Sequence, residues 1–188
     1  MPQKRKLPAT EEELQFRGIH LGQQFHKESE RGIVLLAATL LDENLELLLR
    51  HHFVSKSKKI IDPLFDGFGP LATFSGKIKV SFAFSIITDD EFHDLEILRD
   101  IRNHFAHQYE KASFDQQWIV ARTRNLRLPE TANKLLRDAC FRTVARLKYH
   151  EEDESETLEA PMSLVKFLIS TMRVSQEILA RTGLVNDA

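Results

Sequence analysis

One segment limits what this chain can fold into more than any other: "IVLLAATLLDENLELLLRHHF", residues 33–53. On a wheel of about 100° per residue, Ile33, Val34, Leu36, Ala37, Ala38, Leu40, Leu41, Leu45, Leu47, Leu48 and Leu49 cover well over half the circumference. A helix that apolar must be packed on several sides. Ser29 is placed to cap it, so the spacing predicts a central helix from about Glu30 to Phe53. Thr39, Glu43, Glu46 and Arg50 make its outer face, whereas Asn44 falls inside the apolar arc and Asp42 at its edge. If those two are buried, they need partners.

The rest of the chain reads as helices arranged around that one. Thr10 with Glu13 is a capping-box spacing that starts a first helix near Glu11. Pro63, Gly67, Gly69 and Pro70 punctuate "KSKKIIDPLFDGFGPLATFSGKIKVSFAFSII", and Phe82, Phe84 and Ile86 alternate as in a strand. A lone strand pair would have no sheet to join. We therefore read a helical turn near Pro63 to Phe65, a tight loop, and a helix from about Leu71 to Ile87. Asp89 or Asp90 caps a helix reaching His107. Further helices follow from Asp115 to about Thr123, from Pro129 to about Tyr149, and from Pro161 to Gly183. The expected fold is all-α, a compact single-domain bundle of about seven helices spanning 1–188, with 1–9 flexible and 150–160 an acidic loop.

Composition excludes several classes. With 42% hydrophobic and 29% charged residues, the 188-residue chain has the make-up of a soluble globule, and no run approaches the roughly 18 apolar residues of a membrane span. The basic N-terminus has no apolar stretch behind it, so it is not a secretory signal, and the expected location is the cytoplasm. The single cysteine, Cys140, rules out an internal disulfide. A net charge of -2 is the opposite of the basic footprint of a stand-alone DNA-binding domain. The charge is nevertheless segregated. Arg122, Arg124, Arg127, Lys134, Arg137, Arg142, Arg146 and Lys148 face only Glu130 and Asp138 within their stretch, and the acidic "HEEDESETLE" follows. Of the basic residues, Arg122, Arg124, Arg127, Arg142 and Arg146 are candidates for phosphate or partner contacts.

The chemistry-bearing residues gather in "LRDIRNHFAH", Leu98 to His107. Leu95, Leu98, Ile101 and Phe105 define an inward face, and Arg102 projects between Leu95 and Leu98. Arg102 is therefore expected to point inward, where its permanent charge needs carboxylates or carbonyls. Asp42 and Asn44 are the expected partners, while Asn103 and His107 lie on a neighbouring, more exposed face. Two other readings stay open. Arg102, Asn103 and His107 fit the Arg, polar, three-residue, His spacing of HEPN nucleases, in which a His moves a 2′-hydroxyl proton and an Arg stabilises the phosphorane. Asp100, His104 and His107 stand at ligand-competent helical spacing for a metal, without a supporting motif. No phosphate-binding loop and no nucleophile elbow is present.

Three linked stretches, "SERGIVLLAATLLDENLELLLRHHF", "DPLFDGFGPLATFSGKIKVSFAFSII" and "LRDIRNHFAH", together resemble the mannitol operon repressor family from Ser29 to His107. The resemblance implies an all-helical regulator that lowers expression of a mannitol or related sugar-alcohol uptake operon. It implies no reaction and no cofactor or metal. Because the chain lacks a basic balance and a helix-turn-helix signature, it is expected to act through another protein, either a DNA-binding regulator or a sugar phosphotransferase component. Direct DNA contact is the less supported route. Asp42, Asn44, Arg102, Asn103 and His107 are then a polar cluster with a structural or partner-facing role.

Overall fold

Helix α1 runs from Glu30 to His52, as the apolar wheel requires. The Ser29 hydroxyl accepts from Gly32 N at 3.2 Å, and Glu30 sits in the positive first turn. At the other end, Lys56 Nζ donates to the carbonyls of Arg50 and His51 at 3.1 and 2.7 Å, so a cation satisfies the orphan acceptors. The computed structural model describes residues 28–108, 112–127 and 162–182, and within them the remaining helices are α2 (Lys58–Phe65), α3 (Phe74–Ala83), α4 (Asp89–His107), α5 (Gln117–Arg124) and α6 (Met162–Ala180). Among the described residues there is no strand. The helices expected from Glu11 and from Pro129, the flexible 1–9 and the acidic 150–160 lie outside the described residues.

Helix α1 is wrapped by α3, α4 and α6, and α4 in turn touches α3, α5 and α6. Their shared core includes Leu41, Leu45, Leu48, Leu95, Leu98, Ile101 and Val174, with the tilted rings of Phe105, Phe114 and Phe167 in series at centroid separations of 5.2 and 5.3 Å. A smaller apolar group, Leu49, Ile61, Phe65 and Leu71, fastens α2 to the C-terminal half of α1. The turn after α2 is tight enough to demand glycine. A Cβ at Gly69 would lie 2.3 Å from the carbonyl oxygens of Pro63 and Leu64.

Helix α3 is shorter than the spacing predicts. Thr73 caps it, accepting from Gly76 N at 3.1 Å, and it closes at Ala83 through Ile86 N to Ser81 O at 2.9 Å and Ser85 N to Phe82 O at 2.8 Å. That pair of bonds is the Schellman arrangement, with Ser85 at φ 55° in the left-handed position. The strand-like alternation of Phe82, Phe84 and Ile86 therefore straddles a helix end. Helix α4 is capped by Thr88, one residue before the expected Asp89, through a capping box. Glu91 N donates to Thr88 Oγ1 at 3.3 Å and Thr88 N donates to Glu91 Oε2 at 2.7 Å.

Candidate functional site

A cleft of about 490 Å³ opens between α1, the start of α3 and the C-terminal half of α4. Asp42 and Thr39 line it from α1, Thr73 and Ser75 from the α3 cap, and Arg99, Arg102 and Asn103 from α4, with Leu35, Ala38 and Phe74 as apolar wall. Three of the five residues expected to cluster, Asp42, Arg102 and Asn103, thus meet in one place. The other two do not join them. Asn44 is buried on the opposite side of α1, where its amide donates to Ser175 Oγ of α6 at 2.7 Å, and His107 is exposed at the end of α4.

Arg102 does not point into the core. It is exposed, and among the described residues its one hydrogen bond is from Nη1 to the adjacent Asn103 Oδ1 at 3.0 Å. The reason is axial. Helices α3 and α4 run antiparallel, with Phe82 stacked on Phe92 at 4.2 Å and Ser75 bonded to Arg99 at 3.1 Å, so α3 ends level with Arg99. Arg102, almost one turn further along, has run past its cover. A helical projection keeps the angle and discards that coordinate.

The buried cation is Lys77, which the sequence reading passed over. Its side chain is only 4% exposed, and Nζ lies 3.0 Å from Asp42 Oδ1 and 3.2 Å from Glu46 Oε2. Arg50 continues the network to Glu46 and Asp62, both at 2.9 Å. The face of α1 expected to be outward is thus half covered, and Asp42 answers α3 rather than α4. The available signal was Gly76 beside Lys77, the lysine of the pair Lys77 and Lys79 that lies among the buried positions of the helix. A Cβ at Gly76 would meet Pro70 O at 2.7 Å, which marks a close approach.

Other predicted residues are committed elsewhere. Asp100 pairs with Arg99 at 3.0 Å and Arg122 at 3.4 Å, and His104 Nε2 hydrogen-bonds Gln116 Oε1 at 2.8 Å while stacking on Trp118 at 4.7 Å. Among the described residues no group of three His, Cys, Asp or Glu is placed to hold a metal ion. Arg102 and His107, five residues apart, point about 140° apart around α4, so one copy of the helix does not bring them together. Arg127 donates to Asp89 at 2.7 Å and Asp90 at 3.0 Å, and these hydrogen bonds, Asp89's first, raise its pKa above the ordinary guanidinium value. Arg124 is exposed, and Arg142 and Arg146 lie outside the described residues.

A family model described as MtlR, mannitol repressor, matches residues 23–144, reaching beyond both ends of the stretch 29–107. The chain belongs to the mannitol repressor family. Among relatives of this mannitol repressor family member, the mannitol operon repressors of Escherichia coli strain K12 and of Escherichia coli O6:H1 strain CFT073 are each 29% identical over 93 residues. The alignment covers 48% of this chain and 48% of theirs, so the chain spans about half the length of the curated relatives it matches. Two solved structures share the fold. One chain of the MtlR–HPr complex from Escherichia coli superposes with a TM-score of 0.58 at 19% identity, covering 85% of this chain and 98% of that chain. YggD, a possible transcriptional regulator from Shigella flexneri 2a strain 2457T, gives 0.61 at 18% identity over 93% and 98%.

Proposed function

We propose that the chain is a non-enzymatic regulator that represses a mannitol or related sugar-alcohol uptake operon from the cytoplasm, working through contact with another protein. The observation that carries this reading is the family match through 23–144, which takes in α1 to α5. The partner we favour is a sugar phosphotransferase component of the HPr type, because a fold relative is known in complex with HPr. The site chemistry supports a binding role. Of the three described basic candidates, Arg122 is paired with Asp100 and Arg127 with Asp89 and Asp90, and a single exposed arginine, Arg124, is a poor track for a phosphate backbone. Among the described residues no helix is long and apolar enough to cross a membrane.

The test is co-purification of the tagged chain with HPr from its own host, alongside a mannitol-operon reporter with and without the chain. Saturable HPr binding and a drop in reporter output are expected. A gel shift on the operon promoter should show at most weak, non-selective binding that falls away between about 50 and 200 mM salt. Tight promoter-selective binding by the chain alone would overturn the protein-mediated route. Unchanged reporter output would overturn the repressor reading itself.

A further inference from the structure

We infer that the cleft between α1, α3 and α4 is a binding site for a small anionic polyhydroxy compound, a phosphorylated sugar or sugar alcohol. Its volume of about 490 Å³ lies within the range of small-ligand pockets. Arg102 supplies the anion-binding group. The neighbouring basic side chains each have a carboxylate: Lys77 has Asp42 and Glu46, Arg99 has Glu96 and Asp100, and Arg122 has Asp100. Among the described residues Arg102 has only the neutral Asn103 amide, so its remaining fork of donors is available to a ligand phosphate.

The remaining lining suits hydroxyl groups. Ser75 Oγ accepts from Arg99 and Thr73 Oγ1 accepts from Gly76 N, which leaves each O–H as a donor. Thr39 Oγ1 spends its proton on Leu35 O at 2.9 Å and offers lone pairs instead. The lining therefore offers both donors and acceptors to a ligand's hydroxyl groups. Leu35, Ala38 and Phe74 give an apolar wall for the C–H face of such a chain.

A ligand here would touch all three helices at once. Across the cleft, α3 is tied to α1 by the Lys77 pair and to α4 by the Ser75–Arg99 bond, so occupancy adds a third link between them. If the regulator reading above holds, partner affinity and ligand affinity must then change by the same factor, as linkage requires. The binding claim itself does not depend on that reading.

The experiment is calorimetry and thermal denaturation of the purified full chain with mannitol 1-phosphate, mannitol, glucose 6-phosphate and inorganic phosphate. A phosphorylated polyol or sugar should bind saturably and raise Tm by about 3–6 °C at ten times its Kd. Arg102→Gln should weaken it roughly tenfold or more without lowering the unliganded Tm, and Thr39→Val should weaken it less. Arg124→Gln is the control and should leave binding unchanged. Absence of binding by either phosphorylated probe at 10 mM, equal binding of inorganic phosphate alone, or insensitivity to Arg102→Gln would each overturn the assignment. Loss of HPr binding in Arg102→Gln with no small-molecule binding in the wild type would instead make this a protein-docking cleft. These readouts use the isolated chain, so their failure is separable from failure of repression.

Discussion

Ser85 holds φ at 55°, a conformation that costs an L residue about 1 kcal/mol and that glycine adopts freely. It is exposed and its side chain makes no hydrogen bond among the described residues, so Ser85→Gly relieves that strain and loses little. Part of the gain is offset by the greater freedom of glycine in the unfolded chain. We expect about 0.5 kcal/mol of added stability, read as a Tm rise of about 1–2 °C. Lys77 and Arg102 make the complementary pair at this scale. Lys77→Ala removes the buried ammonium shared by Asp42 and Glu46, and since both carboxylates retain some solvent and Arg50 still holds Glu46, the cost should be about 3 kcal/mol, the low end for a broken buried pair. Arg102→Ala, at an exposed site with only a neighbouring amide as partner, should stay within about 0.5 kcal/mol. Urea denaturation of the two variants decides it: the opposite ranking would return the cross-linking role to Arg102.

At the scale of elements, polar ties at three levels fix α6 against the bundle. Arg181, just past its end, donates to both oxygens of Glu91 at 2.7 and 2.9 Å, Ser170 Oγ donates to Asp94 at 2.7 Å, and Ser163 Oγ donates to Phe114 O at 2.6 Å. Glu91 is at once the N3 member of the α4 capping box and a buried carboxylate, so α4 begins where α6 ends. Arg181→Ala should cost about 2 kcal/mol by leaving that carboxylate without its cation. A double-mutant cycle with Glu91→Gln should show coupling of at least about 1 kcal/mol. Additive effects would mean that the cap stands alone. Little of this was legible in advance. A capping residue announces itself three positions ahead of its partner, whereas the arginine that neutralises it is 90 residues away.

For the whole molecule, the central place of α1 was legible because its apolar arc is too wide for a two-layer contact, and the burial of Asn44 followed from the same arc. The absence of strands among the described residues also agrees with the helical reading of the phenylalanine-rich stretch, although the alternating Phe82, Phe84 and Ile86 suggested otherwise. Partner contact and ligand binding belong to this scale too. The cleft exists only because α3 stops short of the end of α4, and the reporter and calorimetry experiments above ask whether that gap is used.

Within the described residues the sequence by itself determined that the chain is helical and which helix is innermost, because periodicity and caps are local properties, although the helix expected only as a turn near Pro63 to Phe65 spans Lys58–Phe65. Only the tertiary structure decided that Lys77 rather than Arg102 is the buried cation, that Asn44 answers α6, and that Asp42, Arg102 and Asn103 border one cleft. Those outcomes depend on where one helix ends along another, a relation between distant residues to which a single helical wheel is blind.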